Sequence, residues 1–176
     1  MNSVNVTMVV LRLIHILSGI FWVGTTFFLV GFLQPVVAQS GPEGGRFAQR
    51  LMSQKRFQAA MSVAAGLTIL SGLVLYGRVS AGFQHAWVTS GPGLVLALGG
   101  LAAILAVVAG GALQRPTATR LGVLASEIQR SGTAPTPAQM NEMQTLQQKV
   151  TRSSLWIVVL LILAVVSMSS ARYVRF

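Results

Sequence analysis

The sequence predicts an all-α fold: a polytopic membrane four-helix bundle with a cytoplasmic helical hairpin between spans three and four. Three observations predict it. Four apolar runs, at 6–38, 57–76, 93–113 and 155–171, are each about long enough to cross some 30 Å of hydrocarbon, which takes roughly 20 helical residues. Charged residues make up 9% of the chain and hydrophobic ones 53%, whereas soluble domains carry about 25% charged residues. The basic residues lie between the apolar runs rather than in one patch, as in loops that set membrane topology, so the net charge of +10 does not imply a nucleic-acid partner. The 176 residues read as a single transmembrane domain whose first partner is the lipid bilayer. Cysteine is absent, which removes disulfides and thiolate metal sites from consideration.

The first run organises the rest. As a helix it places Arg12, His15, Ser18 and Trp22 three to four residues apart, on one face, with Met8 above them and Gly19 beside His15. Every other wall of that helix is Val, Leu, Ile and Phe. An ionisable side chain inside a membrane span costs roughly 2 to 3 kcal/mol or more, so His15 and Arg12 mark a candidate site. A cleaved signal peptide is the rival for this run. Such peptides start basic and have an apolar core of about 7 to 15 residues, whereas the first eleven residues here carry no charged side chain and the apolar stretch is far longer.

The first connection opens with the breaker cluster SGPEGG and continues as an amphipathic helix, setting Phe47, Leu51 and Met52 against Arg46, Arg50 and Lys55. Span two carries Ser62-x3-Gly66 and Ala60-x3-Ala64, spacings that permit close helix contact. The pattern Ile-Leu-Ser-Gly-x4-Gly occurs at 16–24 and again at 69–77, as chance or as a common packing solution. The short outer connection holds His85 and Trp87, a solvated histidine and an interfacial anchor. Span three has no ionisable residue and is rich in Gly and Ala. Pro116 is expected to end or kink it, opening the connection 114–154. Within that connection 119–129 has helical spacing, SGTAPTP forms a turn, and Thr136 and Pro137 suit the N-cap and first position of a helix running into span four. Trp156 and Tyr173 flank span four, and Met168 lies near its outer end.

Arg46, Arg50, Lys55, Arg56, Arg115, Arg120, Arg130, Lys149 and Arg152 fall on one side of the membrane. Arg12, Arg78, Arg172 and Arg175 fall on the other or toward it. The positive-inside rule then puts both termini outside. His15 lies about nine residues from the outer end of span one, or roughly 14 Å deep.

The only acids, Glu43, Glu127 and Glu142, are in connections, so neither a hydrolytic triad nor an intramembrane carboxylate relay is expected. One imidazole inside a helical bundle is a common way to hold haem iron. In that case Gly19 leaves room for a porphyrin face and Arg12 pairs with a propionate. Copper is the alternative, with His15 and the soft ligands Met8 and Met168; His85 is a speculative further ligand. Two readings without a ligand stay open. His15 can hydrogen-bond a carbonyl or serine and hold helices together, or the chain can serve as a non-catalytic subunit, in a homo-oligomer or a larger membrane complex.

The segment LRLIHILSGIFWVGTTFFL resembles the first helix of the copper-resistance-D-like group of small four-helix membrane proteins, with the pattern R-x-x-H-x6-W-x-G at Arg12, His15, Trp22 and Gly24. LTILSGLVLYG is similar to that group's second helix. The group includes uncharacterised proteins and the HemJ type of protoporphyrinogen oxidase. The resemblance implies a bacterial inner-membrane protein with haem b bound through His15. HemJ-type chains add a lysine in the third helix and a Pro-Arg pair after the Trp segment. Here the third span is uncharged and Thr26-Phe27-Phe28-Leu29 stands where that pair would be, so the implied property is haem binding rather than porphyrinogen oxidation.

Overall fold

The structure, a computed structural model, describes residues 3–174; Arg175, used above for orientation, lies outside the described residues. No strand occurs among them. The helices are α1 (Ser3–Phe28), α2 (Gln34–Gln39), α3 (Gly41–Ser53), α4 (Lys55–Val79), α5 (His85–Val88), α6 (Gly91–Ala109), α7 (Arg115–Ser131) and α8 (Pro137–Ser170). Four helical stretches are long and apolar enough to cross a membrane: Val6–Gln39, Lys55–Val79, Gly91–Ser131 and Pro137–Tyr173.

The third stretch runs well past its apolar run because proline does not end it, and the first likewise continues through Pro35. A π-helical turn, Leu29–Leu33, joins α1 to α2, and a second, Gly110–Gln114, joins α6 to α7. Each stands just ahead of a proline, Pro35 and Pro116. A proline ring crowds the carbonyl four residues back and supplies no N–H. Widening the turn by one residue accommodates both effects: Gln34 N–H reaches Leu29 O and Arg115 N–H reaches Gly110 O. Pro116 therefore opens a wide turn, and the helix runs on to Ser131. Likewise GPEGG starts α3 rather than breaking the chain; the break falls at Ser40, and a second one at Gln54 separates α3 from α4. Thr136 caps α8 as expected, with a reciprocal capping box to Gln139 and Pro137 in the first turn.

α1 packs along α4, and α6 packs along α8; α4 touches α6, and α1 touches α8. The core where they meet is built from Trp22, Ala64, Ala65, Ala106, Ile157 and Leu161, with a smaller cluster of Ala102, Ala103 and Ala164 beside it. Alanines on α4 and α6 let the helix backbones approach, and the space left is filled by one indole and two branched side chains. Ala64 thus serves the core, while Gly66 points into open space. α7 packs on the first part of α8, where Arg120 pairs with Glu142 at 2.9 Å. Gln49 of α3 donates to Gly122 O of α7 at 3.1 Å, so α3, α7 and the start of α8 share one end of the molecule.

Candidate functional site

The polar face of α1 meets α4, and His15 is its centre. His15 is half-buried. Its Nδ1 lies 2.8 Å from Thr68 O and 3.3 Å from Ser71 Oγ. A carbonyl only accepts, so Nδ1 carries a proton, and in the neutral form of the ring the lone pair is on Nε2. Ser71 donates its own proton to Leu67 O, which leaves its oxygen free to accept the weaker branch from Nδ1. Ser18 donates to Ile14 O at 2.6 Å. Thr68 Oγ1 lies 2.9 Å from Ser18 Oγ and 2.8 Å from Ala64 O, bridging the two helices. Nδ1 and these hydroxyls therefore find partners inside the seam. Nε2 makes no hydrogen bond among the described residues, and since no buried polar atom there lacks a partner, Nε2 is accessible rather than sealed in.

Small residues make this seam possible. A methyl on Gly72 would stand 2.9 Å from His15 Cε1 and 3.2 Å from Nδ1, so the imidazole occupies the space where that side chain would be. Gly19 meets α4 less tightly: a methyl there would lie 3.6 Å from Thr68 Cγ2, an ordinary contact. Ser18 and Gly19 meet Thr68, while Ser71 and Gly72 meet His15, so both copies of the Ile-Leu-Ser-Gly pattern lie in this seam and the repeat is a packing solution. Sequence reading missed Thr68, Ser71 and Gly72 as the receiving surface, although that repeat carried the signal.

The other expected site residues are dispersed. Gly19 faces Thr68, a helix contact rather than an open porphyrin face. Trp22, 7% exposed, belongs to the central core and not to a ligand cleft. Arg12 is exposed, one turn from His15, and has no ion pair or hydrogen bond among the described residues. Met8 is half-buried on α1. Met168 packs against Gly99 in the α6–α8 seam, not beside His15. His85 is exposed in α5. No group of three or more His, Cys, Asp or Glu that could hold a metal occurs among the described residues.

A second polar node lies where the two π-helical turns end. Gln34 and Gln114, one beside each turn, both donate to Ser154 Oγ, at 3.1 and 2.8 Å. Ser154 is 1% exposed, so three long helices are tied through one buried hydroxyl.

The fold and this seam define an all-helical chain with the features of a multi-pass membrane protein, carrying one oriented imidazole between its first two long helices. No family model, curated protein or solved structure matches the chain.

Proposed function

We propose that this protein is a multi-pass protein of a bacterial inner membrane that binds haem b through His15 and serves a redox-related role. Both termini face outward, and α7 with the start of α8 forms a cytoplasmic helical hairpin. The observation that carries the proposal is the imidazole itself. Its Nδ1 is committed to Thr68 O at 2.8 Å, and its Nε2 makes no hydrogen bond among the described residues. A backbone carbonyl holding one ring nitrogen fixes the tautomer and orients the other nitrogen as a ligand, the usual outer-shell arrangement of metal-binding histidines. Haem would supply reversible one-electron chemistry at that position. The chain's own contributions are the ring orientation, the apolar surroundings and a guanidinium, Arg12, one turn outward to meet a propionate. Copper is less well served, because Met168 stands in the other seam against Gly99. Use of this histidine only for helix packing is favoured by a specific contact, the fit of its ring over Gly72.

Haemin titration of the detergent-purified protein separates these readings. The haem reading expects a saturable Soret shift that is lost in His15→Ala and retained in His85→Ala. Packing alone expects equal, unsaturable responses from all three proteins, with His15→Ala merely less stable.

A further inference from the structure

Beyond the histidine, the most highly charged feature of the molecule is the end that α3, α7 and the start of α8 share. A shallow, open groove runs along one exposed face of α7 there, lined by Gly111, Arg115, Pro116, Thr119, Arg120 and Val123. These positions follow a four-residue spacing, so the groove extends about 18 Å along one helix face. Its upper end, Gly111, belongs to the π-helical turn that closes the apolar α6. Arg115 follows directly, the first charged residue after the apolar α6. Arg120 is held in place by Glu142, with Nε at 3.0 Å and Nη2 at 2.9 Å from the same carboxylate oxygen. Arg115 is exposed and has no acidic partner among the described residues. The connections at this end carry nine Lys and Arg against three Glu, and Arg120–Glu142 is the one ion pair among the described residues. α3 adds exposed Phe47 and Met52 beside Arg46 and Arg50, the composition of a helix lying on a membrane surface.

We propose that this groove is a binding site for the headgroup of an anionic phospholipid. Arg115 takes the phosphate, the Thr119 and Arg120 side of the groove receives the polar headgroup beyond it, and the acyl chains lie up against the apolar α6. Charge complementarity selects the occupant. A zwitterionic lipid brings no net charge to offset the surplus cations, whereas an anionic lipid does. The proposal rests on the membrane reading of the chain and is independent of haem.

The test uses full-length protein, delipidated in neutral detergent and titrated with phosphatidylglycerol or phosphatidylcholine, with bound lipid counted by native mass spectrometry. Phosphatidylglycerol is expected to bind at least about fivefold more tightly than phosphatidylcholine. Arg115→Gln is expected to weaken it by about fivefold, the effect of one cation near an anionic surface. Arg172→Gln, at the far end of α8, leaves binding unchanged. Equal binding of the two lipids, or an Arg115→Gln protein that binds as wild type does, overturns the proposal. Inorganic phosphate that displaces phosphatidylglycerol at equal concentration would assign the groove to a soluble anion and overturn it as well. Recovery of the protein from the soluble fraction without detergent would refute the membrane reading itself.

Discussion

Gly72→Ala tests the histidine seam directly. The added methyl would sit 2.9 Å from His15 Cε1 and 3.2 Å from Nδ1, where carbon contacts settle at about 3.5 to 4.0 Å. The ring must retreat by roughly 0.6 Å or more to restore that spacing. From a 2.8 Å start to Thr68 O, such a retreat stretches the Nδ1 bond toward or past the limit of about 3.2 Å. The strain costs about 1 to 3 kcal/mol, and the weakened interhelical bond adds about 0.6 kcal/mol, the average found between membrane helices. Alanine's better helix propensity returns about 0.5 to 1 kcal/mol. The net expectation is a loss of about 0.6 to 3 kcal/mol. Reversible unfolding in mixed micelles, followed by tryptophan fluorescence to which core Trp22 contributes, measures it. Gly66→Ala is the control on the same helix, since nothing lies within 4 Å of its added methyl; it should be neutral or slightly stabilising. In a His15→Ala background the cost of Gly72→Ala should vanish, giving a coupling energy of about 1 to 3 kcal/mol. A Gly72→Ala protein as stable as wild type, or a cost undiminished without His15, refutes the reasoning.

Other expectations follow from the same structure. Ser154→Ala leaves the Gln34 and Gln114 amides without their shared acceptor and should lower unfolding free energy in the same assay by about 1 to 3 kcal/mol. Thr136→Ala removes the capping box of α8; a loss of about 1 kcal/mol is expected, with faster amide exchange confined to the first turn of α8. Because the chain has no cysteine, single-cysteine variants report topology cleanly. In intact cells His85→Cys should react with an impermeant thiol reagent and Thr133→Cys should not; the reverse pattern would invert the proposed orientation.

The long helices were legible because apolar length and composition are local properties, readable without a partner. The α8 start was legible for the same reason, since Thr136, Pro137 and Gln139 carry the capping chemistry within one turn. The polar face of α1 was visible as spacing, and Ser18 and His15 do meet α4. What spacing could not supply was the opposite wall. Thr68 offers a backbone carbonyl, which no side-chain pattern announces, and Gly72 matters by what it lacks. Trp22 was drawn toward the site by its place on that same face; the alanines of α4 and α6 instead admit it to the core. Pro116 read as an end or a kink because proline excludes the ordinary α-helical bond, and only the geometry shows that a π-helical turn accommodates it, as it does before Pro35.

The central claim is that His15 presents Nε2 to haem iron. The most direct measurement is the absorption spectrum of the protein purified in mild detergent from cells with ample haem, oxidised and then dithionite-reduced, beside His15→Ala. A Soret band that sharpens on reduction in wild type and is missing from a folded His15→Ala protein is the predicted result. A featureless wild-type spectrum, or a haem band unchanged in His15→Ala, would contradict it.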